Sequence, residues 1–254
     1  MQSGNLAYNS GAFHRALAKL ARLKPGHAAL DLGCGRGRTL GPILELIAPG
    51  GSATGLDISA DQLALTKRTH AGATSSGQLS LVQHDAARPL PFEEGRFDAI
   101  VCQNVLECIP DKTSFLAQCH RVLRPGGVLV LGHHDFDGVL LASSDRQLTE
   151  TLVHAFAKVQ LPGMAAADAQ MGRQLLALMR GTPFRELETL STLDVDLDLT
   201  GDGSIIDLLQ SFRDAAPPGT DPQQLRHWRE DLDRRASAGT FYCAVPWVCV
   251  IGVK

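Results

Sequence analysis

The chain has 254 residues, 44% hydrophobic, 20% charged and 5% aromatic, a composition that can bury one large core and excludes a disordered chain. Its 24 Lys and Arg against 27 Asp and Glu leave a formal charge of −3 without any block of like charge. Nucleic acid is therefore excluded as a first expectation for a partner.

From residue 28 to about 133, short runs rich in Leu and β-branched residues alternate with amphipathic stretches, the pattern of a parallel sheet flanked by helices. Five strands are predicted there, at Ala28–Leu32, Ser52–Asp57, Leu79–Gln83, Phe97–Gln103 and 127–132. Ser59 followed by Gln62 has the spacing of a capping box opening a helix toward His70, and a helix over 112–123 stops before Pro125-Gly126-Gly127. After Gly132 the rhythm changes. Two amphipathic stretches, 145–159 and 167–180, are separated by a Leu-Pro-Gly break and predict an inserted helical cap. The sheet resumes over 184–199, where Leu and Val alternate with acids, and two helices at 204–215 and 222–238 precede a last strand over 240–253.

The six cysteines include no CxxC pair, which argues against a zinc or thioredoxin-type site and predicts reduced, mostly buried thiols. The N-terminus lacks the basic and apolar runs of a secretory signal and no 18-residue apolar segment occurs, so a cytoplasmic chain without a membrane partner is expected.

The most informative stretch is Asp31-Leu32-Gly33-Cys34-Gly35-Arg36-Gly37, a strand end running into a glycine-rich turn. Glycines let the backbone turn tightly and approach a ligand without a Cβ in the way. A dinucleotide fingerprint needs a third glycine three residues after the second. The chain has Arg38 or Leu40 there, so a nicotinamide-dependent oxidoreductase loses support.

This Asp-x-Gly-x-Gly-x-Gly turn resembles the first motif of class I S-adenosylmethionine-dependent methyltransferases. Further segments resemble the same family in the same order: Gly55-Leu56-Asp57-Ile58, His84-Asp85-Ala86, Phe97 to Gln103, and Leu123-Arg124-Pro125-Gly126-Gly127. The resemblance implies a Rossmann-like α/β three-layer sandwich, with a mostly parallel seven-stranded sheet, the last strand antiparallel, and a helical cap inserted after strand five. It implies one domain: a lid helix in 1–24, a cofactor core over 25–135, a cap over 136–182 and a sheet-completing part over 183–254. The implied cofactor is S-adenosyl-L-methionine, contacted by Asp31, Gly33, Cys34, Gly35, Asp57, Ile58, Asp85, Ala86 and Gln103, with Asp57 meeting the ribose hydroxyls and Asp85 the adenine.

Methyl transfer needs a base only when the acceptor is protonated at working pH, and His133-His134 lie where one could serve. Neighbouring strand residues face opposite sides, so at most one of the two is expected to reach a pocket. Weaker similarities at Asp135-Phe136-Asp137, Gly172-Arg173 and the final Gly239-Thr240-Phe241-Tyr242 resemble a branch with many small-molecule methyltransferases. Tyr8, Asn9, His14, Asp135 and Arg173 are the implied acceptor contacts, and no metal is expected. The acceptor is expected to be a small molecule, and the chain a monomer or homodimer. Alternatives are a methyltransferase acting on RNA or protein and a non-catalytic cofactor-binding module.

Overall fold

The computed structural model describes residues 10–160, 168–200 and 204–254. In chain order the first half contains α1 (Gly11–Leu20), β1 (Ala28–Leu32), α2 (Leu40–Ile47), β2 (Ser52–Asp57), α3 (Ala60–Thr69), α4 (Ala71–Ser75), β3 (Leu79–Gln83) and β4 (Phe97–Gln103). The second half contains α5 (Lys112–Val122), β5 (Leu123–His134), β6 (Leu140–Leu141), α6 (Arg146–Phe156) and α7 (Met171–Arg180). It closes with β7 (Arg185–Asp196), α8 (Ser204–Asp214), α9 (Pro222–Ser237) and β8 (Cys243–Val253).

Side chains alternate across each strand, and the alternation sorts the core into two layers. Leu30, Leu32, Leu56, Ile100, Cys102, Leu129 and Leu131 face one side, where α5 supplies Phe115 and Cys119 and α7 supplies Met171, Leu175 and Met179. Ala29, Ala53, Ala99, Val101, Val128 and Val130 face the other, under Phe13 and Leu17 of α1 and Ile43 and Ile47 of α2. Helices on both faces of the sheet make a three-layer α/β sandwich.

The strands run in the order β3-β2-β1-β4-β5-β8. The first five are mutually parallel, and β8 is antiparallel both to β5 and to β7 beyond it. The two-residue β6, pairing with Ala244 and Cys243, adds an eighth strand to the seven expected. Strand order reverses between β1 and β4, so the crevice beyond their carboxyl ends is the topological switch point where such sheets bind ligands.

Two expectations need correction. The fifth strand begins at Leu123 rather than at 127, because Leu123 pairs with Phe97 before the Pro-Gly turn interrupts the ladder, and it runs on to include His133 and His134. Of the two stretches predicted to form the cap, only α6 does so. The stripe of Met171, Leu175 and Met179, spaced at i, i+4 and i+8, lays α7 on the sheet instead. The cap is built by α6 with α8 and α9 around a separate apolar cluster containing Leu152, Leu209, Phe212, Trp228 and Leu232. Among the described residues no helix is long and apolar enough to cross a membrane.

Candidate active site

The turn after β1 is held from the neighbouring strand. The amides of Gly33 and Cys34 both donate to the carbonyl of Leu56, at 2.8 and 3.0 Å, and Gly35 N–H donates to Asp57 Oδ2 at 2.8 Å. Gly33 has φ +70°, and a Cβ there would lie 2.3 Å from Val105 Cγ2, so the position requires glycine both for its conformation and for the close approach of the next loop. Both oxygens of Asp57 take part, since its Oδ1 accepts from Ser59 N–H at 2.9 Å, and each keeps a further lone pair for a ligand.

Beyond this turn lies a cavity of about 510 Å³, within the roughly 300–1,000 Å³ typical of small-molecule sites. Its floor is Asp31, Gly33, Cys34 and Gly35, and its roof is Phe156 from α6 with Ser204, Leu208 and Ser211 from α8. α1 contributes His14, whose Nδ1 is 2.9 Å from Thr39 Oγ1, and Arg38 Nη1 bridges floor to roof by donating to Ser204 Oγ at 2.9 Å. Asp31 is 3% exposed, and its Oδ2 is buried without a hydrogen-bond partner. Burial first, and the nearby Asp57 charge second, push its carboxyl up to about 7. A carboxylate left without a partner in a glycine-lined cavity suits a cationic ligand group, and the residues present therefore fit the ammonium end of the implied cofactor. Burial also pushes the Cys34 thiol up, with Asp31 and Asp57 adding to the effect, so Cys34 is not a reactive thiolate.

His133 lines the cavity. Its Nδ1–H donates to the carbonyl of its neighbour His134 at 2.7 Å, and its Nε2 lies 2.5 Å from Glu107 Oε2. Desolvation pulls the ring down, but the hydrogen bond and charge of Glu107 outweigh it and hold His133 above its ordinary value. The reciprocal holds for Glu107, which burial raises and His133 brings below the usual carboxylate range. Glu107 sits in a short 3₁₀ turn, Leu106–Cys108, after β4.

His134 points away, among Phe13 and Phe136. Asn104 Oδ1 accepts from His134 N–H at 2.9 Å, which turns the Asn104 amide nitrogen toward His134 Nδ1 at 3.0 Å and leaves the ring proton on Nε2, facing Asp194 Oδ2 at 2.8 Å. Burial and the adjacent His133 charge lower His134 to about 3, and burial raises Asp194 to about 8. An uncharged pair thus sits behind a charged one.

Of the expected cofactor contacts, Asp31, Gly33, Cys34, Gly35 and Gln103 meet on the cavity wall. Asp57 and the 64% exposed Ile58 lie at the neighbouring β2 tip outside that lining. Asp85 is further along the same edge, accepting from Ala87 N–H at 2.9 Å, while Ala86 packs against the core. Of the expected acceptor contacts among the described residues, only His14 reaches the wall. Asp135 is 3% exposed and is held by Arg173 through Nε at 2.7 Å and Nη2 at 2.5 Å, so the structure pairs these two residues with each other rather than bringing them to the cavity. Tyr8 and Asn9 lie outside the described residues. Glu107, Asn104 and Asp194 were not singled out in the sequence, where the hint for the first two was a polar residue and an acid, Asn104 and Glu107, following the fourth strand. Among the described residues no group of three His, Cys, Asp or Glu side chains is placed to hold a metal.

Residues 30–131 match the family described as methyltransferase domain. Over 230 residues, 90% of its length, the chain is 29% identical to a 37.1 kDa protein of transposon Tn4556 from Streptomyces fradiae, of which 63% is covered. Over 113 residues, 44% of its length, it is 35% identical to the nocamycin O-methyltransferase of Saccharothrix syringae, of which 40% is covered. The chain thus spans 63% and 40% of the lengths of these relatives. Its fold is similar to that of Haemonchus contortus phosphoethanolamine N-methyltransferase 2 in complex with S-adenosyl-L-methionine, with TM-score 0.57 at 18% identity over 96% of this chain and 52% of that one. Residues 30–131 thus match a methyltransferase domain, and the fold that carries them is similar to that of a methyltransferase solved with S-adenosyl-L-methionine.

Proposed function

We propose that the chain transfers a methyl group from S-adenosyl-L-methionine to an O, N or C atom of a small-molecule acceptor. The observation that carries this reading is Asp31 Oδ2, buried and unpartnered at the switch-point cavity beside the Gly33–Gly35 turn. The small-molecule part is supported by the roofed cavity, by the net charge of −3 and by the relative named for O-methylation of nocamycin.

The cofactor supplies a methyl group activated as a sulfonium, which departs as a neutral thioether. The chain's residues bind, orient and exclude water. Asp31 and the backbone of Gly33, Cys34 and Gly35 hold the amino-acid end, Asp57 and Ile58 the ribose, Asp85 and Ala86 the adenine, and Gln103 borders the methionine side. His14 and the α6 and α8 residues close over the acceptor. Fixing the reactants in line in a dry site can contribute roughly 7–11 kcal/mol to lowering the barrier, more than a proton transfer would. A cytoplasmic location and a monomeric or homodimeric state belong to the same proposal.

Calorimetry with S-adenosylhomocysteine and, separately, NADH tests it. Binding of the former is expected, and tight NADH binding without it would end the reading.

A further inference from the structure

The Glu107–His133 contact changes which group can receive a proton in this cavity. A histidine acting as a base needs one nitrogen with a free lone pair turned toward its substrate. His133 has none. Nδ1 faces the His134 carbonyl at 2.7 Å, which can only accept, and Nε2 faces at 2.5 Å the Glu107 carboxyl, which is held below the usual carboxylate range and so accepts as well. Each nitrogen must therefore carry a hydrogen, which makes the ring an imidazolium. The ring is 1% exposed and Glu107 8%, so neither partner trades the other for bulk water.

We propose that His133 is a standing imidazolium and a positioning residue, and that Glu107, not the ring, is the proton-accepting side of the pair within the methyl-transfer reading above, on which this inference rests. The surroundings agree. Glu107 reaches the ring from the turn after β4, Asp168 ahead of α7 adds a second negative charge, and His134, its neighbour on β5, is held neutral by burial. α7 closes the last side through Gly172, where a Cβ would lie 3.1 Å from the His133 carbonyl oxygen. His134 cannot take over as base, because its one lone pair, on Nδ1, is occupied by the Asn104 amide and the residue is absent from the cavity lining.

The test is nitrogen NMR of the full chain labelled with [15N]histidine, with His133 identified by the signals lost in His133→Gln. Both ring nitrogens are expected to show the protonated shift at pH values above the ordinary histidine midpoint of about 6.5. Carbon NMR is expected to show Glu107 ionised over the same range. Glu107→Gln should lower the His133 midpoint by at least about one pH unit, a tenfold loss of proton affinity, and Glu107→Asp should largely keep the wild-type midpoint. A lone-pair shift on either His133 nitrogen at neutral pH in the wild type overturns the inference, as does a midpoint unmoved in Glu107→Gln. Should that variant fail to fold, the wild-type spectrum alone decides. S-adenosylhomocysteine titrated into the same sample separates the two readings. No binding with the imidazolium intact sinks methyl transfer only, and binding beside a neutral His133 sinks this inference only.

Discussion

Gly35 donates its amide hydrogen to Asp57 Oδ2 across 2.8 Å, so the turn leaving the first strand is fixed by the acid that ends the second. One carboxylate then serves two ends: it shapes the glycine turn, and it stands at the strand tip where the ribose is proposed to lie. Asp57→Ala is expected to weaken S-adenosylhomocysteine binding by about 1.5–3 kcal/mol, the range for hydrogen bonds to a charged group. Calorimetry checks this, and an unchanged affinity would show that Asp57 is structural only.

Asp31 gives a pH signature. Its carboxyl is raised in the fold to about 7 from an ordinary value of 3.8, by burial first and Asp57 second. Between those values the native state holds a proton the unfolded chain has lost, so its contribution is fully present below about pH 4 and is lost as pH rises through about 7. Asp31→Asn removes that loss. The ligand-free variant should match the wild type in urea unfolding near pH 4 and exceed it above pH 7, by at most about 4 kcal/mol. The same variant should bind S-adenosylhomocysteine more weakly, and a variant both no more stable at high pH and unimpaired in binding would refute the role given to Asp31.

Gly33→Ala places a methyl group against Val105 Cγ2 and strains a residue at φ +70°. The left-handed conformation alone costs roughly 1–2 kcal/mol for a non-glycine residue. Thermal unfolding should show a larger loss than that in Gly33→Ala, and a smaller one when Val105→Ala is added. If the second substitution restores nothing, the contact between the two loops is not what demands glycine.

Arg173→Ala leaves Asp135, only 3% exposed, without its guanidinium partner. Because Arg173 is itself half exposed, the expected loss lies below the range for a fully buried pair, at about 2–3 kcal/mol in denaturant unfolding. Arg173→Lys should recover little of it, since an ammonium cannot make the two-point contact. Full recovery by lysine would show that charge alone matters.

The sheet was legible because its signals are local. Strand alternation from Ala28 to Gln103 and the glycine turn at 33–37 act over a few residues, and four strands fall where the period puts them. The Ser59 cap likewise accepts from Gln62 N–H, as the spacing implied. The pairings in and behind the cavity were not legible, because they join residues far apart in sequence: Glu107 with His133, and His134 with Asp194, 60 positions on. An isolated acid carries no sign of which histidine it will meet. The α7 stripe shows the other limit. Its period marked a helix with one apolar side, but not whether that side would meet the sheet or the cap.

The floor and roof of the cavity rest on different foundations. Strand tips anchored in the sheet's two main apolar layers form one, while α6 and α8 stand on a third cluster, with Trp228 of α9 and the β8 residues Cys243 and Val245. The family match over 30–131 stops short of that third cluster. Under the proposed function, division of this kind would let selection redraw the acceptor side of the chamber while the donor side stays as it is, so one donor site could be paired with many different clients.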